Sequence, residues 1–320
     1  MAKFKIRHIT KYLYENMVRD SANQIMLYPT KDSHQTTLQH EIVITGDPFV
    51  DIYVDAYGNK VGTFTHARPH QELVIDSRLL IETFPQPLPD DSTPSELQWL
   101  ELETLRKRLD FVDFMRQEER INALEELRGI VAEERSKAGT PLAAARHFCD
   151  YVFKNFEYRR GITTVETTID EIWKLKSGVC QDFAHMLLVL LRLSGIPARY
   201  VSGYVCPKKN GMRGEGATHA WVEAYIPFFG WFGVDPTNNS TAGEAHVKLA
   251  VGKNFGDCSP IKGSYRGTSN HTLDVVVSVA YEDGQTTEGE HDITPPEIKP
   301  SATKNSFRRH QEMQMQQQQQ

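Results

Sequence analysis

The alternation of apolar and polar positions changes character along the chain. From residue 1 to about 85, the segments FKIRHIT, LQHEIVIT, FVDIYVDAYGNKVGTFTHA and ELVIDSRLLIETF mix period-two alternation with β-branched and aromatic residues. Tyr57-Gly58-Asn59-Lys60 carries a hairpin turn signal. Several short strands with turns between them predict a small antiparallel β-sandwich. The stretch PQPLPDDSTP, 85–94, is proline-rich and acidic and reads as a boundary loop. Beyond it the period lengthens. SELQWLELETLRKRLDF and the segment from Val112 to Ala138 read as helix, with Leu97, Leu100, Leu105 and Leu109 as an imperfect apolar face. TPLAAARHFCDYVFKNFEY, 140–158, predicts another helix, with Thr140 as N-cap, Pro141 in the first position and Phe148, Val152 and Phe156 facing the core.

The segment SGVCQDFAHMLLVLLRLSGIPARYV, 177–201, reads as a helix starting near Cys180 with almost no polar face, which places it centrally. Ser194-Gly195 ends it, with Gly195 suited to a left-handed cap and Pro197 just beyond. ARYVSGYV (198–205), HAWVEAYI (219–226) and GWFGVDP (230–236) read as strands. Their links are too short for crossover helices, so an antiparallel sheet against the helix is expected. TLDVVVSVAYED, 272–283, is a further strand, and the polar end that finishes in QEMQMQQQQQ reads as disordered. The expectation is an α+β protein with a β-sandwich over 1–88, a second domain over 89–283 and a tail over 284–320.

Cys180 breaks the pattern of its own segment. A cysteine in an apolar helix usually acts as a small inert hydrophobe, and Cys149 is read that way. Cys180 instead opens a helix, after a glycine and beside Gln181 and Asp182. A thiol is nucleophilic as thiolate, and its ordinary pKa of about 8.5 is lowered by a helix N-terminus and by a neighbouring imidazole. His219 opens the strand THAWVEAY, and Asp235 ends the next one, GWFGVDPT. The tight PFFG link makes those strands hairpin neighbours, so a helix start, a strand start and a strand end can meet at one sheet edge. That is the topology of a Cys180-His219-Asp235 triad, in which a base activates the nucleophile and a third group orients the base. Asp182 reads as structural, because a carboxylate beside the thiol would oppose its ionisation. His185 reads as a hydrogen-bonded buried histidine, and Trp221 and Trp231 as lining of the cleft or core. The backbone N–H of Cys180 is the natural first oxyanion donor; Gln181, Trp173 and Tyr158 are alternatives for the second.

Composition narrows the classes. The chain has 320 residues, with 39 % hydrophobic and 24 % charged, in the range of soluble globular proteins. A net charge of −6 and a pI near 6.1 give no basic footprint for nucleic acid. Four cysteines are too few and too scattered for a disulfide framework, and no C-x-x-C pair suggests zinc. His66 and His70 lie in HARPH, a proline-containing loop rather than a helix face, and GMRGEG lacks the Walker lysine and hydroxyl, so neither metal nor cofactor is expected. The first residues show no continuous apolar h-region, and MLLVLLRL is too short to span a bilayer. A cytoplasmic protein acting on a peptide or protein, with no nucleic-acid or membrane partner and an open oligomeric state, is the expectation.

GVCQDFAHMLLVLLRLSGIPARYVSGYV, THAWVEAYIPFFGWFGVDPTNN and VGKNFGDCSPIKGSYRG together resemble the bacterial branch of the transglutaminase-like superfamily, whose members are often described as cysteine proteases. The resemblance covers most of 140–270, and the first 85 residues resemble the N-terminal domain that accompanies this branch. It implies a papain-like fold and triad: Cys180 as nucleophile, His219 as base, Asp235 as orienter. Lys253-Asn254 stands where the family pattern has an Arg-Asp pair. The implied chemistry is acyl transfer at an amide, to water (a peptidase or amidase) or to an amine (a transglutaminase). A non-catalytic interaction protein on the same fold is the reading from a different class.

Overall fold

A computed structural model of the chain describes residues 1–117, 120–206, 212–213, 217–267 and 270–282. The first half contains β1 (Ala2–Ile25), β2 (Gln35–Ile44), β3 (Asp51–Val54), β4 (Lys60–His66) and β5 (His70–Thr83). The alternation of β1 sends Phe4, Ile6, His8 and Thr10 to one buried face. This strand is long enough to serve two sheets. Its first part, from Phe4, lies between β5 and a strand from the end of the chain; its last part, Ser21–Ile25, pairs with β4. The register shifts between Leu13 and Val18, and Asp20 takes a positive φ of 51°, so a bulged bend redirects the strand from one sheet to the other.

Four helices follow: α1 (Ser95–Leu105), α2 (Leu109–Met115), α3 (Leu124–Ser136) and α4 (Pro141–Asn155). The apolar face expected on α1 is displaced. Leu97, Leu100 and Leu109 are exposed; Leu105 is buried as expected, and α1 buries Gln98 and Leu102 with it. Gln98 holds a core-facing position because its Nε2 donates to Asp91 Oδ1 at 3.0 Å and to the Thr93 carbonyl at 2.8 Å. A satisfied polar group is as buriable as an apolar one, and apolar periodicity does not register it. The helix expected over Val112–Ala138 is two, because Arg116 is extended (φ −83°, ψ 142°). Asp170, far along the chain, anchors the residues that lead into α3 by accepting from the backbone N–H groups of Asn122 (2.9 Å) and Ala123 (3.0 Å). In α4 the Thr140 hydroxyl accepts from the Ala143 N–H at 3.2 Å, and Phe148, Val152 and Phe156 are buried. The helix stops at Asn155, and Glu157–Tyr158 forms β6.

α5 (Ile169–Leu175) starts with a capping box between Thr168 and Glu171. β7 (Ser177–Gly178) pairs in parallel with β6, and α6 (Cys180–Leu193) follows directly. Phe183, Ala184 and the run from Met186 to Arg192 are buried in α6, as its sequence demands, and Gly195 closes it at φ 90°. The helix packs on an antiparallel five-stranded sheet ordered β11-β10-β9-β8-β12: β8 (Ala198–Val205), β9 (Thr218–Ile226), β10 (Gly230–Asp235), β11 (Ser240–Thr241) and β12 (His246–Gly252). β12, an edge strand on β8, was not foreseen from the sequence. After the short α7 (Phe255–Cys258), the chain returns as β13 (Ile261–Arg266) and β14 (His271–Tyr281), both antiparallel to β1. The first sheet system therefore takes two strands from the end of the chain. Its core closes on the second sheet, with Phe4, Ile25 and Ile75 packed in one cluster with Tyr204, Val247 and Leu249.

The architecture is α+β, with an N-terminal antiparallel sheet and a central helix on a second antiparallel sheet. Among the described residues no helix is long and apolar enough to cross a membrane. The tail over 284–320 and most of the GMRGEG loop lie outside the described residues.

Candidate active site

Cys180 is the first residue of α6, half-buried, after an extended Val179. Asp182 explains why the helix begins there: its Oδ2 accepts the Val179 N–H and the Thr163 hydroxyl, each at 2.7 Å. Burial pushes the Asp182 carboxyl up, and these hydrogen bonds work against that. Gly178 makes the contact possible, since a Cβ there would lie 2.3 Å from Asp182 Oδ2. Asp182 thus holds backbone rather than the thiol. The other cysteines, Cys149, Cys206 and Cys258, are buried, and all four are free. Burial pushes the thiols of Cys149 and Cys258 up, away from ionisation.

His219 opens β9 opposite Gly203 of β8, and Asp235 closes β10. The hairpin brings them to one edge, where His219 Nε2 stands 2.8 Å from Asp235 Oδ2, both side chains fully buried. With Nε2 committed to Asp235, the buried Nδ1 is the nitrogen left for the thiol. Burial works against charge on the imidazole. Asp235, and after it Cys180, outweigh that and raise His219 well above its ordinary 6.5. Burial likewise opposes the Asp235 charge, but His219 and His246 hold the carboxyl well below the usual carboxylate range.

Asp235 is fully buried, and protein donors surround its carboxylate. Its Oδ1 accepts the backbone N–H of Thr237 (2.9 Å) and Asn238 (3.3 Å); its Oδ2 accepts from Asn238 Nδ2 (2.8 Å) and from His246 (3.2 Å) besides His219. His246 escaped the sequence reading because its strand did. The available signal was a histidine at the head of VKLAVG, a run of strand-like residues. Its Nδ1 accepts the Gly243 N–H at 3.3 Å, which assigns the proton to Nε2 and makes that nitrogen a donor to Asp235. His219, Asp235 and His246 lie close enough to be considered as metal ligands. The donor set fits hydrogen bonding instead: a shared ion would need both Nε2 atoms bare, and here each faces Oδ2 at hydrogen-bond distance.

The remaining predicted positions separate. Gln181 lines the cleft beside Cys180, whereas Trp173 packs near Phe156. Tyr158 stays within electrostatic reach of Cys180; burial, and then that thiol, raise its pKa. His185 accepts the Phe255 N–H at 3.2 Å through Nε2 and lies against Tyr200, and burial lowers it to about 4. Trp221 is buried beside the rings of His219 and His246. Trp231 sits at the turn end of the hairpin, against Phe111, Phe114 and Tyr225, away from the triad edge.

Cys180 and His219 open into a cleft of about 860 Å³. One wall comes from the α6 N-terminus, β8, β9 and the loop at 163–166; the other comes from β1, β13 and β14, including His8, Tyr12, Tyr14 and Lys262. The N-terminal sheet system is therefore half of the candidate site.

Comparison with known proteins identifies the family. Residues 128–236 match the family described as "Transglutaminase-like superfamily", and residues 4–82 match the "Bacterial transglutaminase-like N-terminal region". An uncharacterized protein of Mycobacterium leprae is 32 % identical over 283 residues, covering 87 % of this chain and 99 % of that one. A solved structure from Cytophaga hutchinsonii, titled as a "Putative Cysteine Protease", superposes with a TM-score of 0.68 at 22 % identity, over 92 % of this chain and 95 % of that one. A Pseudomonas aeruginosa protein-glutamine gamma-glutamyltransferase is 38 % identical over 73 residues, covering 21 % of this chain and 11 % of that protein. On these matches the chain belongs to the transglutaminase-like superfamily.

Proposed function

We propose that the protein carries out thiol-dependent acyl transfer at an amide bond of a peptide or protein, with Cys180 as nucleophile, His219 as base and Asp235 as orienter. The observation that supports this most is the pairing, on one cleft, of a half-buried helix-start thiol with a buried imidazole fixed 2.8 Å from a buried carboxylate. In the proposed cycle the Cys180 proton passes to His219 Nδ1 to give a thiolate–imidazolium pair, in keeping with the raised imidazole, and Sγ then bonds to the carbonyl carbon. The C–N bond breaks, the leaving amine takes the proton from Nδ1, and a thioester remains. The helix N-terminus favours negative charge on sulfur, and the Cys180 backbone N–H is the proposed first oxyanion donor.

Hydrolysis is the proposed fate of the thioester, because water is abundant and needs no binding site. Amine transfer is the second reading, favoured by the partial match to the Pseudomonas aeruginosa gamma-glutamyltransferase. The proposed compartment is the cytoplasm, since all four cysteines are free. The test is to incubate the protein and its Cys180→Ala variant with a glutamine-containing peptide library and a labelled primary amine, and to analyse products by mass spectrometry. Cleaved or deamidated peptides with little label, absent with Cys180→Ala, are expected. Efficient label incorporation replaces hydrolysis by transfer; identical products from both proteins remove the thiol mechanism.

A further inference from the structure

Lys262 lies on β13, opposite Gln24 of β1, half-buried in the lining of the cleft that holds Cys180 and His219. Its ammonium forms no hydrogen bond and no ion pair among the described residues. Asp257, Cys258 and Asp55 act on it through space, without contact. The nearer of these by effect, Asp257, is occupied: its Oδ2 accepts the Lys253 N–H at 3.0 Å. Contrast Lys248, which is buried to a similar purpose in the fold but is clamped by Glu223 at 2.7 Å and Asp32 at 3.0 Å. Half-burying an ammonium with no carboxylate in contact is unfavourable, and such a group gains when an anion arrives. Burial accordingly pulls the Lys262 pKa down. Around it the cleft offers apolar and aromatic surface from Tyr265, Leu273 and Val275, suited to the rest of a substrate but not to a charge. The other lysine, arginine or carboxylate side chain of the lining is Glu166, from the loop before α5, which has a partner of its own.

We propose that Lys262 is an anion subsite of this cleft, and that the amide substrate carries a carboxylate near the reacting carbonyl. This rests on the thiol reading above and narrows its substrate class to acidic peptides or amides. The carboxylate belongs to either a chain terminus or an acidic side chain; both present the same group to an ammonium, and the experiment separates them.

The probes are iodoacetyl compounds in matched acid and amide forms: iodoacetyl-glycine against its amide for a terminal carboxylate, and iodoacetyl-aspartyl amide and iodoacetyl-glutamyl amide against their asparaginyl and glutaminyl counterparts for a side chain. Each alkylates Cys180 by displacement of iodide, and rates are read by intact mass on the full-length wild type and on Lys262→Met and Lys262→Glu. The helix N-terminus and the imidazole favour anions in every variant, so the acid-to-amide rate ratio is compared between proteins rather than taken alone. At least one pair should show a ratio roughly tenfold higher in wild type than in Lys262→Met, and lower still in Lys262→Glu, with the advantage shrinking in high salt. The pair that responds identifies terminal or side-chain recognition. Ratios within twofold across the three proteins in all pairs overturn the subsite while leaving Cys180 labelling, and the thiol reading, intact. Equal labelling of Cys180→Ala at the same rates instead overturns the thiol reading and the subsite with it.

Discussion

On the β9–β10 wall of the cleft, the buried carboxylate is saturated: Asp235 accepts from two imidazoles, one amide and two backbone N–H groups, and it holds His219 in place. On the β1–β13 wall aromatic, aliphatic and neutral polar groups surround a single lysine. Lys262 makes no ion pair among the described residues, and the rings of Tyr14, Tyr265 and His271 pack on one another. The first wall is organised before any substrate binds, as a wall that stabilises developing charge should be. The second leaves its interactions to be completed from outside. On the proposed function, reaction and recognition fall to two parts of the chain that meet only in the tertiary structure.

The comparison breaks most sharply at the thiol. Cys180→Ala should abolish turnover, a loss above roughly a thousandfold, with the melting temperature nearly unchanged. Cys149→Ala, Cys206→Ala and Cys258→Ala should retain activity while losing stability, because those side chains are buried. Substrate turnover and thermal melts on all four variants check this, and full activity in Cys180→Ala would move the chemistry elsewhere.

Asp235→Asn comes next, with a loss of about a hundredfold to ten-thousandfold in kcat. Its pH signature is specific. His219 is raised in the folded protein, so its contribution to stability is complete below 6.5 and is lost as pH rises through the raised value. Asp235 is depressed, so its contribution is complete above 3.8 and is lost as pH falls through the lowered value. The stability gap between wild type and Asp235→Asn, from urea melts, should therefore be widest between 3.8 and 6.5 and shrink on either side. In the variant, burial acts on His219 with little opposition, so its NMR titration should fall well below the wild-type value.

A smaller effect is expected at His246, which does not touch the thiol and acts through Asp235. His246→Ala should lower kcat by about tenfold with KM nearly constant, and His246→Gln, which keeps a donor, should recover part of it. The His219 titration should move in the same order across these variants.

The smallest contrast lies in α1. Leu100→Ser should change stability by no more than about 0.5 kcal/mol, whereas Leu102→Ala should cost about 3 kcal/mol, because Leu100 is exposed and Leu102 buried. Chemical denaturation of both variants measures the difference.

The sequence alone determined what depends on local signals. Thr140 and Pro141 set the start of α4, Gly195 the end of α6, and the unbroken apolar run of α6 its central place, because capping and hydrophobic periodicity act within a few residues. The meeting of His219 and Asp235 at a sheet edge was legible for the same reason: a tight PFFG link leaves a hairpin as the short solution. Other features were decided only by the tertiary structure, because their partners lie far away in the chain. The start of α3 depends on Asp170 reaching back to Asn122 and Ala123. β12 was too short and mixed to stand out until β8 offered an edge, and with it came the third group on Asp235. Most of all, β13 and β14 join β1, which carries the chain's last described strands to the far wall of the cleft and sets Lys262 across from a thiol that no local pattern relates to it. Burial and pairing between distant segments, rather than residue preference, decide where those groups go.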